Sequence, residues 1–155
     1  KIQNSVLLFG GKNNVDLPGL GDFKALGIGI KVSTEDGTMG AKGLVTMLLK
    51  RELSRSTPAV IYACGPNGML RAVARLAEER DITCYVSLDR VMACGIGACL
   101  GCAVKIRGEG TKDYQSFVVR GQFADPRSPI PEPIYKMVCK DGPVFDAKEI
   151  TWEEI

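Results

Sequence analysis

Four cysteines with a distinctive spacing constrain this chain more than any other feature of its sequence. Four residues separate Cys94 from Cys99, two separate Cys99 from Cys102, and Cys139 follows much later. The pattern C-x4-C-x2-C with a remote fourth cysteine is the plant-type spacing of 2Fe-2S cluster ligands. Two irons bridged by two sulfides need four thiolates at tetrahedral corners. Three must come from one wrapping loop, and the fourth closes the site. The sequence therefore predicts a 2Fe-2S centre held by these four cysteines.

Three glycines, Gly95, Gly97 and Gly101, lie between the first three of these cysteines. Glycine adopts positive φ without the steric cost of a Cβ, so we expect all three to let the loop wrap tightly. Without side chains there, backbone N–H groups can also approach the sulfurs. Such hydrogen bonds help to set the reduction potential of a cluster.

Other uses of cysteine fit the pattern less well. A structural zinc site normally offers paired C-x2-4-C knuckles, whereas here a third cysteine is interleaved and the last stands alone. A disulfide framework is typical of small secreted chains, and six cysteines in 155 residues without a secretory segment do not match that class. Simple buried thiols do not explain the spacing. A zinc-stabilised interaction module without a redox role remains the alternative.

The composition excludes several classes of function. The chain contains no histidine, which removes Ser-His-Asp triads and histidine metal ligands. A formal net charge of +2 and the lack of a basic run give no indication of nucleic-acid binding. The apolar runs are too short to span a bilayer. Free thiolate ligands and the absence of an export signal indicate the cytoplasm.

The hydrophobic pattern predicts an α/β protein. Apolar runs predict strands, and apolar residues at helical spacing predict helices between them. Alternating strands and helices indicate a parallel sheet with helices on both faces. After Arg90 the pattern changes to short strands, so we place a domain boundary near residue 88. The strands are predicted at 5–9 (buried on both faces), 28–33, 58–63, 82–88, 102–106, 117–119 and 135–138, and the helices at 16–26, 42–53 and 69–81.

The segment Cys64-Gly65-Pro66 lies where a parallel strand ends and a helix begins, the position at which open α/β sheets bind their ligands. It is either a nicotinamide site, with Gly65 allowing close backbone approach, or an ordinary strand-to-helix turn. Met47 and Met69 lie on helix faces and are expected in the core, together with Leu44, Leu48 and Leu49. Cys84, inside a predicted strand, is expected to be a buried, inert thiol.

Two motifs carry a family resemblance. Residues 62–70, Tyr-Ala-Cys-Gly-Pro-Asn-Gly-Met-Leu, resemble the motif that ends the pyridine-nucleotide domain of ferredoxin-reductase-like flavoproteins. Residues 92–102 and 138–145 resemble the cluster domain of electron transfer subunits of NAD-dependent dihydroorotate dehydrogenase. With the loops at 33–37 and 42–43, the likeness covers nearly the whole chain.

The resemblance implies a domain organisation. Residues 1–88 would form a parallel-sheet nucleotide-binding half-domain, ferredoxin-reductase-like, that lacks the family's first strand and Gly-rich loop. Residues 89–155 would form a small, mostly β, 2Fe-2S domain. The chain thus looks like the C-terminal part of a family member, without the barrel that holds FAD. The insertion at 108–133 is longer than the hairpin expected in the family.

The resemblance also implies a function. Electrons from dihydroorotate, oxidised by a partner catalytic subunit, would pass through the cluster to FAD and then to NAD, in pyrimidine biosynthesis. Cys64, Gly65, Pro66 and Met69 would lie at the nicotinamide and flavin edge, with weaker support for Asp36 and Gly37. Lys12 opens the question of whether the nucleotide is NADP instead of NAD, since a cation near the ribose favours a 2′-phosphate. A related ferredoxin-NAD(P) reductase or sulfide dehydrogenase subunit is the main alternative.

Overall fold

The structure is a computed structural model that describes residues 4–107 and 134–155. Contacts between Cα atoms divide the chain into two compact units, residues 1–58 and 59–155. The predicted strand at 117–119, the Pro-rich run at 125–133 and the rest of the insertion at 108–133 lie outside the described residues.

The first unit is a small parallel sheet with helices. Its strands pair in the order β1-β2-β3, with Val6 opposite Gly29 at one end of the β1–β2 ladder and Gly11 opposite Thr34 at the other. Two predicted strands and two predicted helices are confirmed, whereas the two-residue strand β3 was not predicted. The elements are β1 Val6–Gly11, α1 Leu20–Ala25, β2 Gly29–Thr34, β3 Ala41–Lys42 and α2 Val45–Leu53.

The two helices of this unit cover opposite faces of the sheet. A Cβ added at Gly10 would come within 2.6 Å of Val45 in α2, and the neighbouring Phe9 makes an edge-to-face contact with Phe23 in α1. Successive strand residues point to opposite faces, so the expected arrangement of helices on both sides is confirmed for β1. Full burial of β1 is not, since Val6 is 46% exposed at the edge of the sheet.

Helix α2 buries only part of the face that was predicted. Leu48 and Leu49 are buried, as expected, and Leu53 joins them. Leu44 and Met47, however, are 56% and 45% exposed, so placing them in the core was wrong. The physical reason is that the helix begins at Val45, which leaves Leu44 in extended backbone before it. Met47 then lies on the side of the helix opposite to the buried leucines.

The second unit combines a parallel strand pair with a later antiparallel strand and a ribbon. Strands β4 and β5 are parallel and joined by α3, and β8 adds to β5 in antiparallel orientation. Strands β6 and β7 form a separate antiparallel ribbon. The elements are β4 Val60–Cys64, α3 Asn67–Glu78, β5 Thr83–Ser87, β6 Ala103–Ile106, β7 Ile134–Met137, α4 Val138–Asp141 and β8 Val144–Asp146.

The core of this unit lies between α3 and one face of β5. Leu70 and Val86 are completely buried, and Cys84 is 2% exposed. Burial, and then the charge of Asp146, raises the pKa of the Cys84 thiol to about 11, which confirms the expectation of a buried, inert thiol. Met69 is only half-buried, so its placement in the core was wrong in part.

The segment after residue 88 is joined closely to β5 within the second unit. Strand β8 pairs with β5, and the Leu88 N–H donates to the Pro143 carbonyl over 3.0 Å. A domain boundary at residue 88 therefore stays a prediction. In the parts of the chain that the structure describes, no helix is both long and apolar enough to cross a membrane.

Candidate functional site

The β6–β7 ribbon brings the remote Cys139 to the cysteine loop. Cys102 immediately precedes β6, and one residue, Val138, separates Cys139 from the end of β7. The register pairs Ala103 with Met137 at this end of the ribbon. The Val138 N–H donates to the Cys102 carbonyl over 3.2 Å, and the Cys139 N–H donates to the Cys102 Sγ over 3.5 Å. Strand pairing thus places two cysteines that are far apart in sequence side by side.

The loop that carries the other cysteines depends on left-handed backbone at three positions. Gly95 and Gly97 have φ of 70° and 79°, as the sequence predicted. Gly101 does not have positive φ, so that expectation was wrong. The third left-handed residue is its neighbour Leu100, with φ of 59°. The turn into β6 is closed by the Ala103 N–H, which donates to the Leu100 carbonyl over 3.1 Å.

Backbone N–H groups already point at the sulfurs. Donation from the Ile96 N–H, and then from the Cys99 N–H, lowers the pKa of the Cys94 thiol from 9.0 to about 6. The Cys99 N–H lies 3.4 Å from the Cys94 Sγ. A thiol with such a pKa is largely thiolate at neutral pH, which is the form that binds metal. The expectation that amides approach the sulfurs is consistent with this geometry.

The thiols of Cys102 and Cys94 are close enough to Cys139 to change its pKa. A hydrogen bond with the Cys102 side chain, and then desolvation, raises the pKa of the Cys139 thiol. The charges of Cys102 and Cys94 raise it further, against donation from the Gly97 N–H. All six cysteines are free thiols, and Cys99 is exposed while Cys102 is buried. Within residues 4–107 and 134–155, no three metal-binding side chains converge tightly enough to hold a single ion.

Two residues that the sequence analysis missed shape the loop. The stem of Lys140 lies against it, since a Cβ at Gly97 would come within 3.2 Å of the Lys140 Cδ. The Asp141 carboxylate accepts a hydrogen bond of 2.7 Å from the Met137 N–H and so holds the turn that carries Cys139. The sequence Asp141-Gly142 is a turn signal, which was readable in advance.

The segment around Cys64 has the predicted position. Cys64 is the last residue of β4, and Pro66 directly precedes α3. No side chain caps this end of α3, so its first N–H groups are not used by a cap. Gly65 has φ of 150°, and a Cβ there would come within 2.7 Å of the Met69 Cε. The space that Gly65 leaves is therefore occupied by the methionine thioether.

Asp36 and Gly37 lie in the first unit, in the loop after β2. The N–H of Thr38, and then its hydroxyl, donate to the Asp36 carboxylate over 2.9 and 2.8 Å, and these bonds lower the pKa of Asp36. Gly37 has φ of 84°. The Asp36 N–H donates to the Lys12 carbonyl over 3.2 Å, so this loop and Lys12 adjoin at the ends of β2 and β1.

A family model and curated relatives of this chain both point to dihydroorotate dehydrogenase B. Residues 89–117 match the family model of the iron-sulfur cluster binding domain of dihydroorotate dehydrogenase B. The electron transfer subunit of dihydroorotate dehydrogenase B (NAD(+)) from Caldanaerobacter subterraneus subsp. tengcongensis is 38% identical over 128 residues, 83% of this chain and 42% of the relative. The corresponding subunit from Desulforamulus reducens is 34% identical over 133 residues, 86% of this chain and 43% of the relative.

A solved structure supports the fold. A chain from the structure of the NADH-dependent reduced ferredoxin-NADP oxidoreductase, described for flavin-based electron bifurcation, superposes with a TM-score of 0.65 at 27% identity. The match covers 96% of this chain and 44% of the other. The predicted α/β, ferredoxin-reductase-like fold with an iron-sulfur module is thereby confirmed. This chain spans less than half the length of the relatives that it matches.

Proposed function

Since the chain is a relative of the electron transfer subunits of NAD-dependent dihydroorotate dehydrogenase B, spanning less than half of their length, we propose that it carries single electrons through a 2Fe-2S cluster. Cys94, Cys99, Cys102 and Cys139 would be the ligands. The observation that carries the proposal is the β6–β7 ribbon, which brings the remote Cys139 beside Cys102, the last cysteine of the loop.

The residues present fit such a group. Four thiols supply the ligand type and number that a 2Fe-2S cluster needs, and N–H groups are directed at two of the sulfurs. One of these thiols, Cys94, has a lowered pKa and ionises readily. The fit therefore rests on the donor set and on its amide environment.

The chain's own residues would govern the electronic properties of the site. When bound, a 2Fe-2S cluster accepts and releases one electron at a time. The N–H groups of Ile96 and Cys99 stabilise negative charge on the Cys94 sulfur, which favours the reduced, more negative state. The buried Cys102 shields its side of the site from water, while the exposed Cys99 leaves the other side accessible. Cys99 would then be the side from which electrons enter or leave.

We also propose the nucleotide and flavin contacts as expected from the sequence. Cys64, Gly65, Pro66 and Met69 would lie at the nicotinamide and flavin edge. The support is that the first three lie between a strand end and an uncapped helix, and that Met69, in the first turn of that helix, packs against Gly65. Asp36 and Gly37 are weaker candidates, since the Asp36 carboxylate is already engaged by Thr38. FAD and NAD would be the cofactors, with FAD held mostly by a region outside this chain. The adjoining Lys12 keeps NADP as an option.

The proposed physiological partner is a dihydroorotate dehydrogenase catalytic subunit, in a hetero-oligomer that serves pyrimidine biosynthesis. The support is that the relatives are electron transfer subunits of dihydroorotate dehydrogenase B. No nucleic-acid or membrane partner is proposed. We place the protein in the cytoplasm, because six free thiols are compatible with a reducing compartment.

A second candidate function is that of a ferredoxin-NAD(P) reductase subunit with a different electron donor. The superposition on the NADH-dependent reduced ferredoxin-NADP oxidoreductase favours it. The identity of the electron donor separates the two functions. If the first is correct, dihydroorotate and the dihydroorotate dehydrogenase catalytic subunit together should bleach the visible absorption of this protein under anaerobic conditions. Bleaching by reduced ferredoxin, and not by dihydroorotate with that partner, would favour the second candidate.

Metal analysis of anaerobically purified protein tests the proposal directly. We expect about two irons and two acid-labile sulfides per chain, with visible absorption that dithionite bleaches. Stoichiometric zinc with no visible absorption would instead establish the zinc-stabilised module and remove the electron-transfer function.

A further inference from the structure

A cavity in the second unit is lined by an unusual concentration of charge. It lies between α3, β5 and the C-terminal segment and has a volume of about 50 Å³. Its floor is largely apolar, formed by residues such as Ile82 and Trp152. Four cationic side chains and two carboxylates line its walls: Arg71, Arg75, Arg107, Lys148, Glu78 and Glu153.

Arg71 lines this cavity and carries one donor without a hydrogen-bond partner among the described residues. Its Nε is buried and has no partner, although the side chain as a whole is 41% exposed. Its Nη2 lies 3.9 Å from the Glu153 Oε1, which is too long for a hydrogen bond. Nε and Nη2 form one edge of the guanidinium, the fork that binds two oxygens of a single anion. Within the described residues no hydrogen bond engages that edge, although Nη2 is ion-paired with Glu153.

Two further guanidinium groups around the cavity are weakly engaged. Arg107 Nη1 lies 3.9 Å from the Glu78 Oε1, again beyond hydrogen-bond distance. Arg75 makes no ion pair with any residue that the structure describes. Only Lys148 is committed, to Asp81 over 3.1 Å. Three arginines therefore retain donor capacity around one small space.

We propose that this cavity binds a tetrahedral oxyanion, either free phosphate or the phosphoryl group of a larger molecule. The buried unpartnered atom in the lining is a donor, which calls for an acceptor and not for a cation. Arginine matches phosphate through paired N–H groups. A cavity needs about 10–15 Å³ to hold one water, so about 50 Å³ gives room for a small polar group or ion. This site is independent of the cysteine loop.

The test is titration of the purified chain with inorganic phosphate at low ionic strength, followed by isothermal calorimetry or ³¹P NMR. We expect saturable binding that Arg71→Gln weakens by about tenfold or more, because the forked contact is lost. Arg51→Gln is the matched control. Arg51 is an exposed arginine on α2, and its loss changes the net charge equally. Its effect should stay within about twofold, as for exposed charges.

The outcomes are distinguishable. Absence of saturable phosphate binding up to about 10 mM, or equal weakening by Arg71→Gln and Arg51→Gln, would overturn the proposal. If Arg71→Gln fails to fold by circular dichroism, Arg75→Gln replaces it, since Arg75 is exposed. Comparison with adenosine monophosphate separates the sources: equal or tighter binding indicates a phosphoryl group, and weaker binding indicates free phosphate. The visible spectrum of the cluster should be unchanged in every variant.

Discussion

The cysteine loop offers a matched pair of substitutions, one expected to weaken iron retention and the other to leave it nearly unchanged. Gly97→Ala introduces a Cβ at a residue with φ of 79°. The new atom would lie 3.2 Å from the Lys140 Cδ and 3.7 Å from the Met137 Cγ. Gly101→Ala introduces the same atom in the same loop, but without positive φ and with only an ordinary contact of 3.5 Å to the Cys99 Sγ.

The left-handed backbone at Gly97 sets the size of the difference expected between the two variants. Holding a non-glycine residue in the left-handed region costs about 1–2 kcal/mol. The close contact at Gly97 adds little, because the neighbouring atom belongs to a flexible lysine stem. A change of about 1–2 kcal/mol corresponds to roughly 5–30-fold in an equilibrium constant. We therefore expect Gly97→Ala to weaken retention of the iron by that factor, and Gly101→Ala to change it by less than about twofold.

The assay is competition for iron. Wild type and both variants, reconstituted anaerobically, are equilibrated with a graded series of a coloured iron chelator, and the concentration that removes half of the visible absorption is compared. Circular dichroism before chelation verifies that each variant is folded. If both variants lose iron equally, or if Gly97→Ala behaves as wild type, the assignment of backbone strain to Gly97 is incorrect.

Three further predictions concern other parts of the molecule. Cys99→Ser should lose most of the iron and labile sulfide and the visible absorption, whereas Cys84→Ser should keep them; iron retained by Cys99→Ser would mean that the ligand lies elsewhere. Leu70→Ala should lower the free energy of unfolding by about 2–5 kcal/mol and Met47→Ala by no more than about 0.5 kcal/mol, as measured by denaturant titration; similar values would contradict the burial described. Lys140→Met should lower the reduction potential, on the order of tens of millivolts, because a nearby positive charge stabilises the reduced state; Lys140→Arg should not, and redox titration tests both.

Regular secondary structure was predictable where a periodic signal was strong. The apolar runs of β4 and β5 and the helical spacing of α3 predicted those elements with boundaries within a few residues. The two-residue β3 carries no periodicity, so it could not be predicted. The pairing of β8 with β5 is a contact between residues far apart in sequence, and local propensity contains no information on it. In α2 the burial of Leu48 and Leu49 was predicted correctly, whereas that of Leu44 was not, because it depended on where the helix begins.

For the candidate site, the sequence predicts which residues would be ligands but not the backbone that carries them. The spacing of the four cysteines is the one that the chemistry of a 2Fe-2S cluster requires, and the ligand assignment stays a prediction. The left-handed conformation of Leu100, where Gly101 was expected, is set by closure of the turn into β6 and not by residue preference. The contact of Lys140 with the loop likewise depends on the ribbon's register, which is known only from the structure.

The two ends of the β6–β7 ribbon have different consequences for how this chain can diverge. One end, where Ala103 faces Met137, fixes the spacing of two thiols, so added or deleted residues there would be selected against. At the other end, where Ile106 faces Ile134, we expect extra sequence to be tolerated, because this end of the ribbon is remote from the two thiols. Residues 108–133 are attached at that tolerant end, which makes it a suitable point for inserting an affinity tag or a reporter peptide.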